Sequence, residues 1–363
     1  MMKSKNLFSA FLLICSIVLS INVNSQIKEV DFLKGGIDDA QILFREYLRP
    51  YANILGSNLN GGWYNTAKPH KPLGFDITLT VNAAWAPPSA STFDLSALEI
   101  NGHYNASSPI TPTVAGKEDD NRPELQYFMA HPVSNEDIEV ARFSMPNGTG
   151  INTLPLPMAQ LGIGLPFGTE ITGRFLPSIN IGNAGNIGLW GVGLKHSILQ
   201  WIPGLKRLPV FDITAQAGYT RLLTYANLNF RPENLDAQDQ TTHDPLRFKN
   251  QRIDLGVEAL TVNLIFSQSL PVITFYQGIG YSSTNTNVAL IGNFPFVSLD
   301  NSGNPVVTDN DIVTDPFSIA IQNNKNLRLN AGFRIKLGLL TIQADYTKAN
   351  YSVLTTGFGI SFR

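Results

Sequence analysis

The sequence predicts an all-β protein, an antiparallel transmembrane β-barrel of roughly 12 to 14 strands, preceded by a short helical N-terminal plug. Three observations predict it: two-residue alternation through the last third, an export signal with no apolar helix after it, and a sparse charge content. From Leu327 to Leu337, then Leu340 to Tyr346, then Leu354 to Phe362, large apolar residues alternate with polar or small ones. That period puts one class of side chain on each face of a strand. The connections between these runs are too short for helices and suit hairpins. Charged residues are 15% of the 363-residue chain, against about 25% in a typical soluble domain. A barrel explains that figure, because its outer face meets lipid and needs no charge.

The chain divides into 1–25, 26–72 and 73–363. The first part reads as a signal peptide, with Lys3 and Lys5, an apolar core from Leu7 to Leu19 and a cleavage site before Gln26. Its removal takes the formal charge from −2 to −4 through the loss of those two lysines, which argues against nucleic acid as a partner. It also removes Cys15, the only cysteine, so the mature chain offers no disulfide and no thiolate. No later stretch reaches about 18 apolar residues. Such a chain is expected in the outer membrane of a Gram-negative bacterium, with membrane lipid and the barrel-insertion machinery as partners.

In 26–72, Ile37, Ala40, Leu43, Phe44, Tyr47, Leu48 and Tyr51 recur at helical spacing after Gly35-Gly36. Pro50 is expected to end or kink the helix, giving one or two short helices that form either a periplasmic tail packed under the barrel or a plug inserted into its lumen. Tyr47, Tyr51, Trp63 and Tyr64 are the candidate ligand-binding residues, lining an apolar pocket of the plug; the alternative is that they pack it against the barrel wall. The barrel opens at Phe75 to Trp85. Between Phe93 and Thr153 three further strands are expected, at 93–104, 124–130 and 138–145. From Leu156 onward strands follow one another with short turns at 166–168, 267–271 and Gly338. Near Leu260 the apolar residues change parity, which suggests a bulge. The segment 196–209, with Trp201, suits a bilayer interface. Phe358, Ile360 and Phe362 form the barrel-closing strand. With the C-terminus fixed in the periplasm, the long segments 231–250 and 292–324 fall outside.

The export signal, helical N-terminal region and barrel length resemble the FadL-type transporters of hydrophobic compounds. The phrases Gly74-Phe75-Asp76, Leu161 to Glu170 and Gly193 to His196 resemble an uncharacterised family of outer-membrane barrels from the Bacteroidota. The resemblance implies uptake of a small hydrophobic molecule, released sideways into the bilayer. The 26–72 region has no Asn-Pro-Ala, the FadL plug signature. A non-transporting barrel that serves as a binding or assembly partner in a secretion complex is the other reading. No enzyme, cofactor or metal site is expected: His70, His103, His131, His196 and His243 are scattered, without ligand spacing. Asp300, Asp309, Asp311 and Asp315 read as a solvated loop rather than a calcium site.

Overall fold

A computed structural model describes residues 28–131, 133–180, 185–202, 210–242, 244 and 246–362; the signal-peptide assignment, Cys15 and His243 lie outside them. Ten antiparallel strands close a barrel. In chain order they are β1 (Phe75–Trp85), β2 (Thr153–Leu165), β3 (Thr169–Asn180), β4 (Asn186–Ser197), β5 (Phe211–Asn227), β6 (Arg252–Ser269), β7 (Ile273–Ile291), β8 (Phe317–Leu337), β9 (Leu340–Lys348) and β10 (Val353–Phe362). β10 pairs with β1 from Phe75↔Phe362 to Ala84↔Val353, which closes the ring.

The expected 12 to 14 strands are therefore corrected to ten. The surplus came from 93–145. Strands 92–94 and 110–112 form one small sheet, and 103–106, 124–130 and 137–144 another, both separate from the barrel. They belong to a single excursion between β1 and β2. Their alternation is real, but it serves a cap over the outer mouth rather than the wall.

Along the wall, residues such as Leu327, Leu329, Ile342, Leu354 and Ile360 point outward and are about half exposed, while Thr341, Gln343, Thr355 and Ser361 between them are buried. The apolar stretch of β8 from Leu327 to Leu337 covers ten residue steps, or about 25 Å for a tilted strand. Aromatic pairs border it. Trp85–Tyr346 and Trp190–Tyr219 mark one rim, and Phe75–Phe362 and Phe211–Phe266 the other. At the Phe362 end three of the four connections are short, the exception being β4–β5 at 198–210; the longest connections lie at the opposite end. This is the surface of an outer-membrane barrel, and the loop-length rule assigns its Phe362 end to the periplasmic side. No described helix is long and apolar enough to cross a membrane.

The parity change in β6 has another cause than the expected bulge. Its register with β5 and β7 is unbroken. Ile253, Leu255 and Val257 point inward, above the lipid, into apolar cores; Leu260, Val262 and Leu264 point outward into it. The strand keeps its faces, and the environment of each face changes at the membrane boundary. A register shift does occur between β7 and β8, beside Ser282 and Thr284.

The one α-helix among the described residues, α1 (Ile37–Asn60), follows Gly36, whose φ of 93° is costly for any residue with a Cβ. Pro50 lies inside it and does not end it. The expected break costs about 3 kcal/mol, and packing along nearly the whole helix offsets that. Phe44 packs on Phe32 and on Phe317 of β8 at the outer end. Asp39 accepts hydrogen bonds from the Asn101 and Gly102 amides of the cap, at 2.8 and 3.0 Å. From there the chain descends through the lumen to β1.

Candidate functional site

Three arrangements inside the barrel bear on function, and each is set by where α1 and the segment after it meet the wall.

The first is a clamp at mid-lumen. A helix ends with carbonyls that lack intrahelical donors and carry its negative dipole end. Two wall arginines satisfy them. Arg174 of β3 donates from Nη1 to the Leu59 carbonyl at 3.0 Å and from Nη2 to the Gly61 carbonyl at 2.7 Å. Its Nε donates to Gln160 at 2.9 Å. Arg328 of β8 donates to the Asn60 carbonyl at 2.6 Å and to Thr261 at 3.0 Å. The Arg174 guanidinium also stacks 3.6 Å from the centre of the Trp63 ring. Trp63 can come this close to the wall because Gly193 and Gly218 face it; a Cβ at either would collide with the indole.

The second is a seam between β2 and β3. Their pairing runs from Leu165↔Thr169 to Ala159↔Phe175 and, among the described residues, stops there. β2 continues to Thr153, paired with β1 alone, and β3 continues to Asn180. Pro155, Pro157 and Pro177 lie in these unpaired stretches. Proline has no N–H to donate, so the seam resists zipping and carries fewer stranded donors. It begins level with Trp190, the partner of Phe175, at the outer aromatic rim. Directly behind it, facing the lumen, Leu156, Met158, Leu176, Leu189 and Leu222 converge with Leu59 of the helix. Val257 and Ala259 of β6 join the same patch. The seam is shut, since Leu156, Pro157 and Met158 are all buried.

The third lies where the chain leaves the lumen. His70 is buried, its backbone N–H donating to Glu170 Oε2 at 2.9 Å and its Nδ1 lying 2.7 Å from the same oxygen. Lys195 Nζ holds the other carboxylate oxygen at 2.8 Å. His70 Nε2 faces Ser361 Oγ at 3.4 Å and Asp76 Oδ1 at 3.9 Å.

A family model matches residues 2–362. The chain belongs to DUF6588, a family of unknown function. No curated protein matches it. Among solved structures, Ail of Yersinia pestis, in complex with the heparin analogue sucrose octasulfate, is 9% identical, with 80% of this chain and 97% of that one covered and a TM-score of 0.24. The outer-membrane protease OmpT of Escherichia coli is 7% identical over 83% and 97%, TM-score 0.29. The toluene transporter TbuX of Ralstonia pickettii is 10% identical over 85% and 97%, TM-score 0.18. Likenesses this distant add nothing to what the barrel's own geometry establishes.

In this DUF6588 barrel the four aromatics singled out in the sequence do not meet in one pocket. The Tyr47 hydroxyl donates to the Asn147 carbonyl at 2.8 Å, and that of Tyr51 pairs with Thr149 at 2.7 Å, both under the cap. Trp63 and Tyr64 belong to a separate mid-lumen cluster, where Tyr64 packs edge-on against Tyr276 at 6.0 Å. Phe358, Ile360 and Phe362 lie outward on β10, the strand that closes on β1. The loop aspartates are spent separately. Asp309 binds Thr242 and Arg247, whose hydrogen bonds hold its carboxyl below the usual range; Asp311 binds Thr308, and Asp315 the Gly292 amide. His196 contacts Thr169 and Trp201. Sequence reading missed Arg174, Arg328 and the seam. The three prolines in otherwise strand-like stretches were the signal that could have pointed to the seam.

Proposed function

We propose that this barrel carries small hydrophobic molecules from the outer surface into the bilayer, releasing them sideways between β2 and β3 without covalent chemistry. The observation that carries the reading is the unpaired seam backed by an aliphatic patch. Opening a paired seam in lipid would strand backbone groups at several kcal/mol each; this one breaks few. An apolar solute that reaches Leu59, Leu156, Met158 and Leu176 stays out of water, at the level of the outer aromatic rim where the bilayer begins. The alternative, a docking barrel, calls for a large apolar outer patch. The outer connections instead turn Phe230, Phe294 and Phe143 inward around the helix.

The test exploits the cysteine-free mature chain. Met158→Cys and Leu176→Cys occupy the positions one step beyond the last seam pair. Oxidation should lock the seam and stop transfer of a fluorescent apolar probe into proteoliposomes, and reduction should restore it. Unchanged transfer with the cross-link verified by mass spectrometry refutes the lateral route.

A further inference from the structure

We propose that the point where the plug leaves the lumen is a binding site for a borderline divalent cation such as zinc, with His70 Nε2 and Asp76 Oδ1 as its protein ligands. Glu170 is an acceptor already holding Lys195, so the imidazole proton that bonds to it sits on Nδ1. Nε2 is the ring position turned toward Asp76 Oδ1, 3.9 Å away. The two atoms are too far apart for a hydrogen bond. Zinc bonds of about 2.0–2.2 Å set tetrahedral ligand atoms about 3.4 Å apart, so a closure of about 0.5 Å makes these a ligand pair. The Ser361 hydroxyl, 3.4 Å from Nε2, and water complete the shell.

The surroundings fit a cation. A carboxylate on the far nitrogen of a ligating histidine is the usual buttress of such sites, fixing tautomer and ring orientation. Here Glu170 binds both the ring and the backbone amide of His70. Asp76 Oδ2 accepts from Thr78 at 3.0 Å, which turns Oδ1 toward the histidine. Gly162 leaves the room; a Cβ there would collide with Asp76 Oδ1. His70, Asp76 and Glu170 are all buried, with one ligand atom from each within 4.8 Å of the others. Two carboxylates and the His70 ring share a single ammonium, that of Lys195, so the cluster has room for a further positive charge. An imidazole nitrogen with a carboxylate oxygen selects zinc, cobalt or nickel over magnesium or calcium. Bound there, the ion joins the plug's exit segment to β1, beside the strand that closes the barrel.

The experiment uses the full mature barrel, untagged, folded in detergent and stripped with a chelator. Zinc is titrated calorimetrically at about pH 8, above the ordinary histidine range. Wild type should take up one buried zinc ion. His70→Gln and Asp76→Asn should each weaken that event tenfold or more, and Glu170→Gln should weaken it by about 10–100-fold, as loss of a buttress does. X-ray absorption should show one imidazole nitrogen among oxygen ligands. Heat-modifiable gel mobility confirms that each variant is folded. Zinc uptake that persists in His70→Gln belongs to the exposed histidines and overturns the proposal. So does the absence of uptake by wild type, which would leave a proton as the occupant of Nε2.

Discussion

Replacing Arg174 with methionine tests whether the clamp holds the plug. The substitution strands the Gly61 carbonyl, which now accepts at 2.7 Å, and leaves the Leu59 carbonyl, which accepts at 3.0 Å, with only the Thr220 hydroxyl at 3.4 Å, at about 1–3 kcal/mol each. It also removes the stack on Trp63, worth about 2 kcal/mol when desolvated. Against this gross loss of about 4–8 kcal/mol stands the relief of no longer burying a guanidinium, several kcal/mol. The net expectation is about 2–4 kcal/mol in the local opening of the helix end. At 1.4 kcal/mol per decade, amides in 56–66 should exchange with deuterium roughly 30- to 700-fold faster. Hydrogen exchange read by mass spectrometry measures this directly, and Arg174→Lys, which keeps the charge but loses the fork, should fall between. Unchanged exchange in 56–66 refutes the clamp. Acceleration spread equally over the barrel strands would make Arg174 a general stabiliser instead.

Other outcomes follow from the same geometry. Gly218→Val drives a side chain into the Trp63 indole; overpacking of this kind costs about 1–3 kcal/mol and should show as a shifted tryptophan emission with the barrel still heat-modifiable. Phe362→Ala removes the stack on Phe75, 4.8 Å between rings at the closing seam, and should slow membrane assembly as followed by heat-modifiable mobility; normal insertion would show that this residue is not part of the assembly signal. Asp309 has its folded-state pKa depressed, first by the Thr242 hydroxyl and then by further hydrogen bonds. Its tie across the outer loops is therefore complete above the ordinary carboxylate value of about 4 and lost as pH falls through the lower folded value. Protease nicking of 240–250 should rise only in acid, while Asp309→Asn should be nicked at neutral pH as well.

The closing strands were legible because lipid on one side and a polar lumen on the other leave a clean two-residue period from Leu327 to Phe362. The same rule misled where the environment changed along one strand. Ile253 and Leu260 have opposite parity and yet obey a single register, since the buried apolar face is inward under the cap and outward in the bilayer. The cap strands at 103–106, 124–130 and 137–144 alternate like wall strands, and nothing local distinguishes a sheet that covers a mouth from one that forms it. Pro50 obeyed local propensity in the sequence and lost to packing in the fold. The meeting of His70 with Glu170 could not be read at all, because it joins residues a hundred positions apart through the barrel's closure.

The clamp and the seam share a residue, which makes their independence testable. Arg174 immediately precedes Phe175, the last paired position of β3 before the seam. Leu59 gives its carbonyl to Arg174 and its side chain to the aliphatic patch behind Leu156 and Leu176. A seam that opens at Leu176 pulls on the strand that holds the helix end, so each opening should loosen the other. Coupling between two equilibria is reciprocal. The oxidised Met158→Cys/Leu176→Cys cross-link should therefore slow exchange at 56–60, while 66–70, held by Ser267 of β6 and by Glu170 at the already paired end of β3, should stay as it was. Equal slowing of both stretches would mean that the plug moves as one body, and no slowing at 56–60 would separate the plug from the proposed exit altogether.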